Sequence, residues 1–166
     1  PTIFTRFSTS LVGHETPIIR PRCSNALDYE GEMAVVLARG GRHISKEQAL
    51  EHVFGYAIFN DGSVRDYQFR TPQWTMGKNF DRSGSFGPMF VSSDELPPGA
   101  SGLKIECRVN GQVVQSDNTK NMSFNVVETL VYTTKGITLE PGDIIATGTP
   151  TGAGARSSCR SVACSA

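Results

Sequence analysis

The run LDYEGEMAVVL, Leu27 to Leu37, constrains this chain more than any other segment. Its alternation puts Tyr29, Met33, Val35 and Leu37 on one face of a strand and Glu30, Glu32, Ala34 and Val36 on the other. From Met33 onward both faces are apolar, so the strand must be covered on two sides. At its head, Glu30 and Glu32 share a face about 6.7 Å apart along the chain. At an effective dielectric near 20, two such charges repel by about 2–3 kcal/mol. If buried, they need a partner, and a hard divalent cation would serve both. Taken alone, the pair favours the other reading, the solvated start of a strand.

Further along, the Gly40-Gly41 pair turns the chain. Ser45-x-x-Gln48 is a capping-box pattern, with Ala49, Leu50, Val53 and Phe54 at helical spacing and a stop at Gly55. Tyr56 to Asn60 reads as a short apolar strand ending in the turn signal Asn60-Asp61-Gly62. Residues Phe69 to Pro88, rich in Gly, Pro, Asn and Ser, read as a long ordered loop, and loops of that length are usually functional. Leu103, Ile105, Cys107 and Val109 alternate with polar residues, and Asn110-Gly111 supplies a type I′ turn into Gln112–Gln115. Asn125-x-x-Glu128 caps a helix carrying Val127, Leu130 and Val131. Glu140-Pro141-Gly142-Asp143 is a turn, followed by a last strand, Ile144–Thr147.

At 166 residues, 38% hydrophobic and 19% charged, the chain has the composition of one globular domain. Sixteen basic residues balance sixteen acidic ones, which argues against a nucleic-acid binder. No apolar run approaches the length needed to span a membrane, and Pro1 to Arg20 lacks a signal-peptide pattern. The four cysteines match no disulfide or zinc framework and fit reduced thiols in the cytoplasm. The chain begins at Pro1, without Met, on a strand-like Thr2-Ile3-Phe4. Residues 156–166, RSSCRSVACSA, have no periodicity and are expected to be irregular, with Cys159 and Cys164 inert.

Several other residues carry possible chemistry. Asp61 lies at the end of an apolar strand beside a glycine, where it could be aimed into a cleft or simply cap a turn. Lys78 in the long loop could neutralise an anionic substrate or be a solvated lysine. Gln68 and Thr149 could bond a carboxylate or carbonyl, but spacing does not select them. His14, His43 and His52 form no ligand pattern and read as surface residues.

Four segments together go further: LDYEGEMAVVLARGGRHISKEQALEHVFGYAIFNDGSVRDYQ, QWTMGKNFDRSGSFGP, VNGQVVQSDNTKNMSF and LEPGDIIATGTPTGAGA. In that order they resemble the fumarylacetoacetate hydrolase family over about Pro1 to Ala155. The resemblance implies an α+β, mainly β fold, a folded-over mixed β-sheet roll with a few short helices, usually as a homodimer. It implies a catalytic domain over residues 1–155 followed by a non-family tail at 156–166. It also implies Mg²⁺ or Mn²⁺ held by Glu30 and Glu32 of DYEGE and Asp61 of FNDGS. Gln68 of RDYQ, Lys78 of GKNFD and Thr149 of TGTP match positions that contact substrate in the family.

Two departures accompany the resemblance. Family members carry a water-activating His and Glu upstream of the Glu-x-Glu segment, and nothing before Glu30 matches them. His14-Glu15 falls where the family has a loop. Family members also continue past TGTP into closing strands, so the chain is expected to be shortened at both ends. The implied substrate is a small 2-oxo or 1,3-diketo acid, with Lys78 as the catalytic cation. Hydrolysis of an acylpyruvate C–C bond is the first activity implied. Isomerisation or decarboxylation of a 2-hydroxymuconate-type diacid on the same site is the alternative, and a shortened, non-catalytic metal-binding piece is a third.

Overall fold

Met33, Val35 and Leu37 all lie on one side of strand β3 (Gly31–Leu37) and are nearly inaccessible to solvent. In the computed structural model, which describes residues 1–154 and the backbone of 162–165, this strand is the centre of the architecture. It pairs antiparallel with β4 (Val53–Asn60) on one side and with β9 (Ile144–Ala146) on the other. Beyond β4 lie β6 (Gly84–Ser92), antiparallel, and β1 (Leu11–Gly13), parallel to β6, which makes a mixed five-stranded sheet. The hairpin β7 (Lys104–Val109) and β8 (Gln112–Asn118) belongs to a second sheet, and β2 (Leu27–Asp28) pairs with β5 (Ser63–Val64) in a third. The helices described are short: α1 (Arg65–Gln68), α2 (Thr75–Lys78) and α3 (Val126–Thr134), with four 3-10 turns. The fold is mixed α+β and mostly strand, a sheet curled over on itself.

The core is built on the odd face of β3. Met33, Val35 and Leu37 pack with Ile44, Val53, Tyr56, Ile105, Leu139 and the α3 residues Val126 and Leu130. Each such aliphatic side chain contributes about 1.5–3 kcal/mol on burial. The even face meets a smaller cluster of Ala34, Ala57, Phe59 and Phe86, with Glu32 on the same side. Tyr29 leaves the strand's packing for a third cluster with Cys107 and Val109, because the strand breaks between Asp28 and Gly31.

The hairpin turn has Asn110 at φ 51° and Gly111 at φ 83°, the two left-handed residues a type I′ turn requires. In α3 the full capping box forms: Asn125 Oδ1 accepts the Glu128 N–H at 2.9 Å, and Glu128 Oε2 accepts the Asn125 N–H at 3.0 Å.

Four local expectations change. The helix anticipated through Phe54 is a 3-10 turn, Ala49–His52, with no side-chain cap at Gln48. Val53 and Phe54 are drawn into β4, where Leu37 pairs with Val53 and Gly55 with Ser92. Gly55 lies inside that strand because a Cβ there would sit 2.2 Å from the Val91 carbonyl oxygen. The loop expected over Phe69–Pro88 holds α2 and the first half of β6, a strand whose pairing comes from β1 and β4 and which has no alternation of its own. Thr2-Ile3-Phe4 has no regular structure. In the tail expected to be irregular, Val162–Ser165 pairs antiparallel along the open edge of β7, which satisfies that strand's outward backbone groups. The rest of 156–166, with Cys159, lies outside the described residues.

Removing the cap of α3 tests the local reading. Asn125→Ala is expected to cost about 1 kcal/mol, lowering the melting temperature by about 2–4 °C. Thermal unfolding followed by circular dichroism measures it, and an unchanged melting temperature contradicts the cap assignment.

A candidate metal centre of three buried carboxylates

The break in the strand after Asp28 is where the site forms. Asn60, the last residue of β4, pairs with Gly31, and its Oδ1 accepts the Glu30 N–H at 3.1 Å. The Asp61 N–H then donates to the Glu30 carbonyl at 2.8 Å, which seats Asp61 beside both glutamates. The sequence Asn60-Asp61-Gly62 is thus a link from β4 into β5. Gly62 is required there because a Cβ would lie 2.0 Å from the Ser83 carbonyl oxygen.

Glu30, Glu32 and Asp61 are 7%, 3% and 1% exposed, so the solvated-strand reading fails. Each offers a carboxylate oxygen, and the three oxygens lie within 4.8 Å of one another. At that separation two unit charges repel by about 3–4 kcal/mol at an effective dielectric of 20. Burial, reinforced by Asp61 and then Glu30, pushes the Glu32 carboxyl well above the ordinary range. Its Oε2 accepts the Gly148 N–H at 2.8 Å, and among the described residues it forms no ion pair.

The other two carboxylates are held by cations. Lys78, 1% exposed, donates to Glu30 Oε2 at 2.8 Å and Asp61 Oδ2 at 2.6 Å, so it is no solvated lysine. It arrives there because α2 packs directly on α1. Gly77 makes that approach possible, since a Cβ would meet the backbone of Gln68 at 2.5 Å. Arg65 donates to Asp28 Oδ2 through Nε at 2.9 Å and Nη2 at 2.8 Å, and through Nη1 to Glu30 Oε1. Gln68, 3% exposed, accepts from the same Nη1 at 2.8 Å. Arg6 reaches Asp61 Oδ1 and also donates to Ser83 Oγ at 2.8 Å.

All six residues singled out in the sequence, Glu30, Glu32, Asp61, Gln68, Lys78 and Thr149, line one open concavity of about 2080 Å³. Such a volume exceeds that of a usual small-molecule pocket, so a ligand at the carboxylates would occupy only part of it. Among the described residues no histidine lines it. His14 sits on the surface, 3.8 Å from Glu15.

Sequence reasoning missed Asp28, Arg65, Arg6 and Asn79. Asp28 stood in the same LDYEGE run, and Arg65 stands three residues before Gln68, a helical neighbour spacing. Arg6 had no local signal, because Asn79 places it from a distance. The Asn79 side chain donates to the Thr5 and Thr75 carbonyls at 2.8 and 2.9 Å and accepts the Phe7 N–H at 2.6 Å.

The donor set fits a hard divalent ion: oxygen only, three converging carboxylates, and a Glu32 carboxyl with no ion-pair partner among the described residues. Among the described residues no helix is long and apolar enough to cross a membrane.

Known proteins share this arrangement of chain. The rat (Rattus norvegicus) mitochondrial oxaloacetate tautomerase is 43% identical over 155 residues, covering 93% of this chain and 49% of that protein. A solved structure of 2-hydroxyhepta-2,4-diene-1,7-dioate isomerase from Mycobacterium marinum superposes with a TM-score of 0.87 at 37% identity, over 93% of this chain and 60% of that one. Fumarylpyruvate hydrolase from Pseudomonas aeruginosa, in complex with Mn²⁺ and pyruvate, superposes at 0.84 and 32% identity, over 91% of this chain and 67% of that one. The chain therefore spans about half of the curated tautomerase and somewhat more of the two solved structures. The sequence profile of the fumarylacetoacetate (FAA) hydrolase C-terminal domain matches residues 1–163. Matched over almost all its length, the chain belongs to the fumarylacetoacetate hydrolase family.

Proposed function

We propose that this chain carries out divalent-metal-dependent enolate chemistry on a small 2-oxo acid, with keto–enol tautomerisation or isomerisation as the reaction its own residues serve best. The observation that carries this reading is the buried set of Glu30, Glu32 and Asp61 with Lys78 lodged against two of them. The similarity to an oxaloacetate tautomerase and a diene-dioate isomerase supports it. Acylpyruvate C–C hydrolysis is the second reading, favoured by the likeness to a fumarylpyruvate hydrolase that binds Mn²⁺ and pyruvate. That reaction also needs a base to activate water.

Glu30, Glu32 and Asp61 would hold Mg²⁺ or Mn²⁺. When bound, the ion supplies Lewis acidity that lowers the energy of an enolate. Lys78 is placed to stabilise an anionic oxygen of the substrate or to hand a proton to it, since its ammonium lies at the carboxylate edge in a site largely shielded from water. The Phe4 ring stands 5.0 Å from Lys78 Nζ and packs at a tilt against Trp74, which limits water at the ammonium. Arg65 fixes Glu30 and Gln68, and Arg6 fixes Asp61.

The direct assay follows decay of the enol form of oxaloacetate and, separately, loss of an acylpyruvate with release of two acids. Enol decay above the buffer rate, requiring Mg²⁺ or Mn²⁺ and abolished by chelation, is expected. If neither substrate responds to the metal-loaded chain, the proposal is wrong. For the metal, Mn²⁺ at a hundredfold excess over its dissociation constant should stabilise the fold by about 2.7 kcal/mol. Glu32→Gln should weaken calorimetric Mn²⁺ binding by roughly tenfold or more, and unchanged affinity would remove Glu32 from the ligand set. Lys78→Met should weaken binding of oxalate, a 2-oxo acid mimic, to the Mn²⁺-loaded chain by roughly ten- to a hundredfold. It should leave Mn²⁺ binding as tight or tighter, because one competing positive charge is gone. Unchanged oxalate affinity would deny Lys78 a role toward substrate.

A further inference from the structure

Gln115, part of the hairpin strand and of the segment VNGQVVQSDNTKNMSF, was given no role by the sequence and does not line the concavity, yet its amide is fully employed behind the wall of the site. It sits on β8, 2% exposed. Its Oε1 accepts the Gly31 N–H at 3.0 Å, between the two glutamates. Its Nε2 donates to Thr149 Oγ1 at 2.8 Å and to the Pro150 carbonyl at 2.7 Å. One buried side chain thus ties the carboxylate-bearing turn to the loop after β9.

That loop runs along the turn residue by residue. Thr147 donates through both N–H and Oγ1 to the Met33 carbonyl at 3.0 and 2.9 Å, and Gly148 donates to Glu32. Thr149 Oγ1 donates to the Gly31 carbonyl at 2.9 Å. Tyr29 Oη donates to the Gly152 carbonyl at 3.1 Å, and the Gly154 N–H donates to Asp28 Oδ2. Gly152 allows the loop to lie against β8, since a Cβ there would be 2.2 Å from the Val114 carbonyl oxygen. The Thr149 hydroxyl spends its proton on Gly31 and receives one from Gln115, so it serves as an anchor. Among the described residues no acceptor reaches the Thr149 N–H, while Thr149 itself borders the concavity.

We infer that Gln115 is a positioning residue: it sets the Thr149 loop, and through it the backbone that meets the anionic substrate, without touching substrate or metal. This rests on the function proposed above. A side chain that only filled space would need no donors, whereas here both are aimed at the loop and the acceptor at the carboxylate-bearing turn. Truncating it would leave the buried Gly31 N–H and the half-buried Thr149 hydroxyl and Pro150 carbonyl with one partner fewer, and let the loop drift from the carboxylates.

The experiment uses the full 166-residue chain, with Mn²⁺ and oxalate as probes in calorimetry. Gln115→Met, matched in length and lacking the amide, should retain Mn²⁺ affinity within about twofold and lose oxalate affinity by about tenfold. In turnover the loss should fall on KM more than on kcat. Thr149→Val should also weaken oxalate, and combining the two should cost little more than either alone, because both anchor the same loop. Gln115→Glu, which keeps the acceptor facing Gly31 and loses both donors, serves if the methionine variant does not fold, and should show the same oxalate loss. Oxalate affinity unmoved in the variant, a parallel fall in Mn²⁺ and oxalate binding, or losses that multiply independently would each overturn the inference while leaving the proposed function standing. A wild-type chain that binds no Mn²⁺, or Mn²⁺ but not oxalate, would overturn both.

Discussion

Three carboxylates packed within 4.8 Å of one another and shut away from solvent set the terms for everything around them. Their mutual repulsion must be offset locally, since removing one partner from a buried ion pair costs about 3–5 kcal/mol. The chain brings three cations, Arg6, Arg65 and Lys78, from three different segments to this place, against four carboxylates once Asp28 is included. Glu32 is left with a backbone N–H alone. A divalent ion at the three carboxylates would turn the local charge from negative to positive, which favours an anionic ligand.

The scaffold meets that demand with backbone approach as much as with side chains. Antiparallel pairing of β3 and β4 places Asn60 opposite Gly31, and the next peptide delivers Asp61. Glycines stand where side chains would hold the parts apart: Gly62 against Ser83, Gly77 against Gln68 and Gly152 against Val114. Asn79 and Lys78 divide the work at the end of α2, one pinning the N-terminal segment and the other facing the carboxylates. The segments that meet at the site are thus locked by short-range contacts, which suits an active centre that must hold its geometry while charge develops on a ligand.

What was legible in the sequence was whatever is decided locally. The alternation from Gly31 to Leu37, the Asn110-Gly111 turn and the Asn125/Glu128 capping box depend on neighbours within a few residues, and all three formed, while the first half of the expected strand, Leu27 to Glu30, broke away at Tyr29. The helix through Phe54 did not, because tertiary pairing with β3 and β6 outweighed a weak local pattern. β6 was hidden for the same reason: its face is half exposed, so no hydrophobic period marks it. The carboxylates were visible as residues but not as a buried cluster, since burial of Glu32 is set by β9 and the loop beyond it, more than a hundred residues away. Family motifs carried that part. They assigned no role to Arg6 or Gln115, whose contacts reach across 55 and 84 residues of chain.

Crystals of the chain soaked in Mn²⁺ and measured at the manganese absorption edge test the central claim most directly. The account predicts one anomalous peak among the carboxylates of Glu30, Glu32 and Asp61, with Lys78 beside it. A peak elsewhere, or no peak at a Mn²⁺ concentration that saturates a related family enzyme, would contradict it.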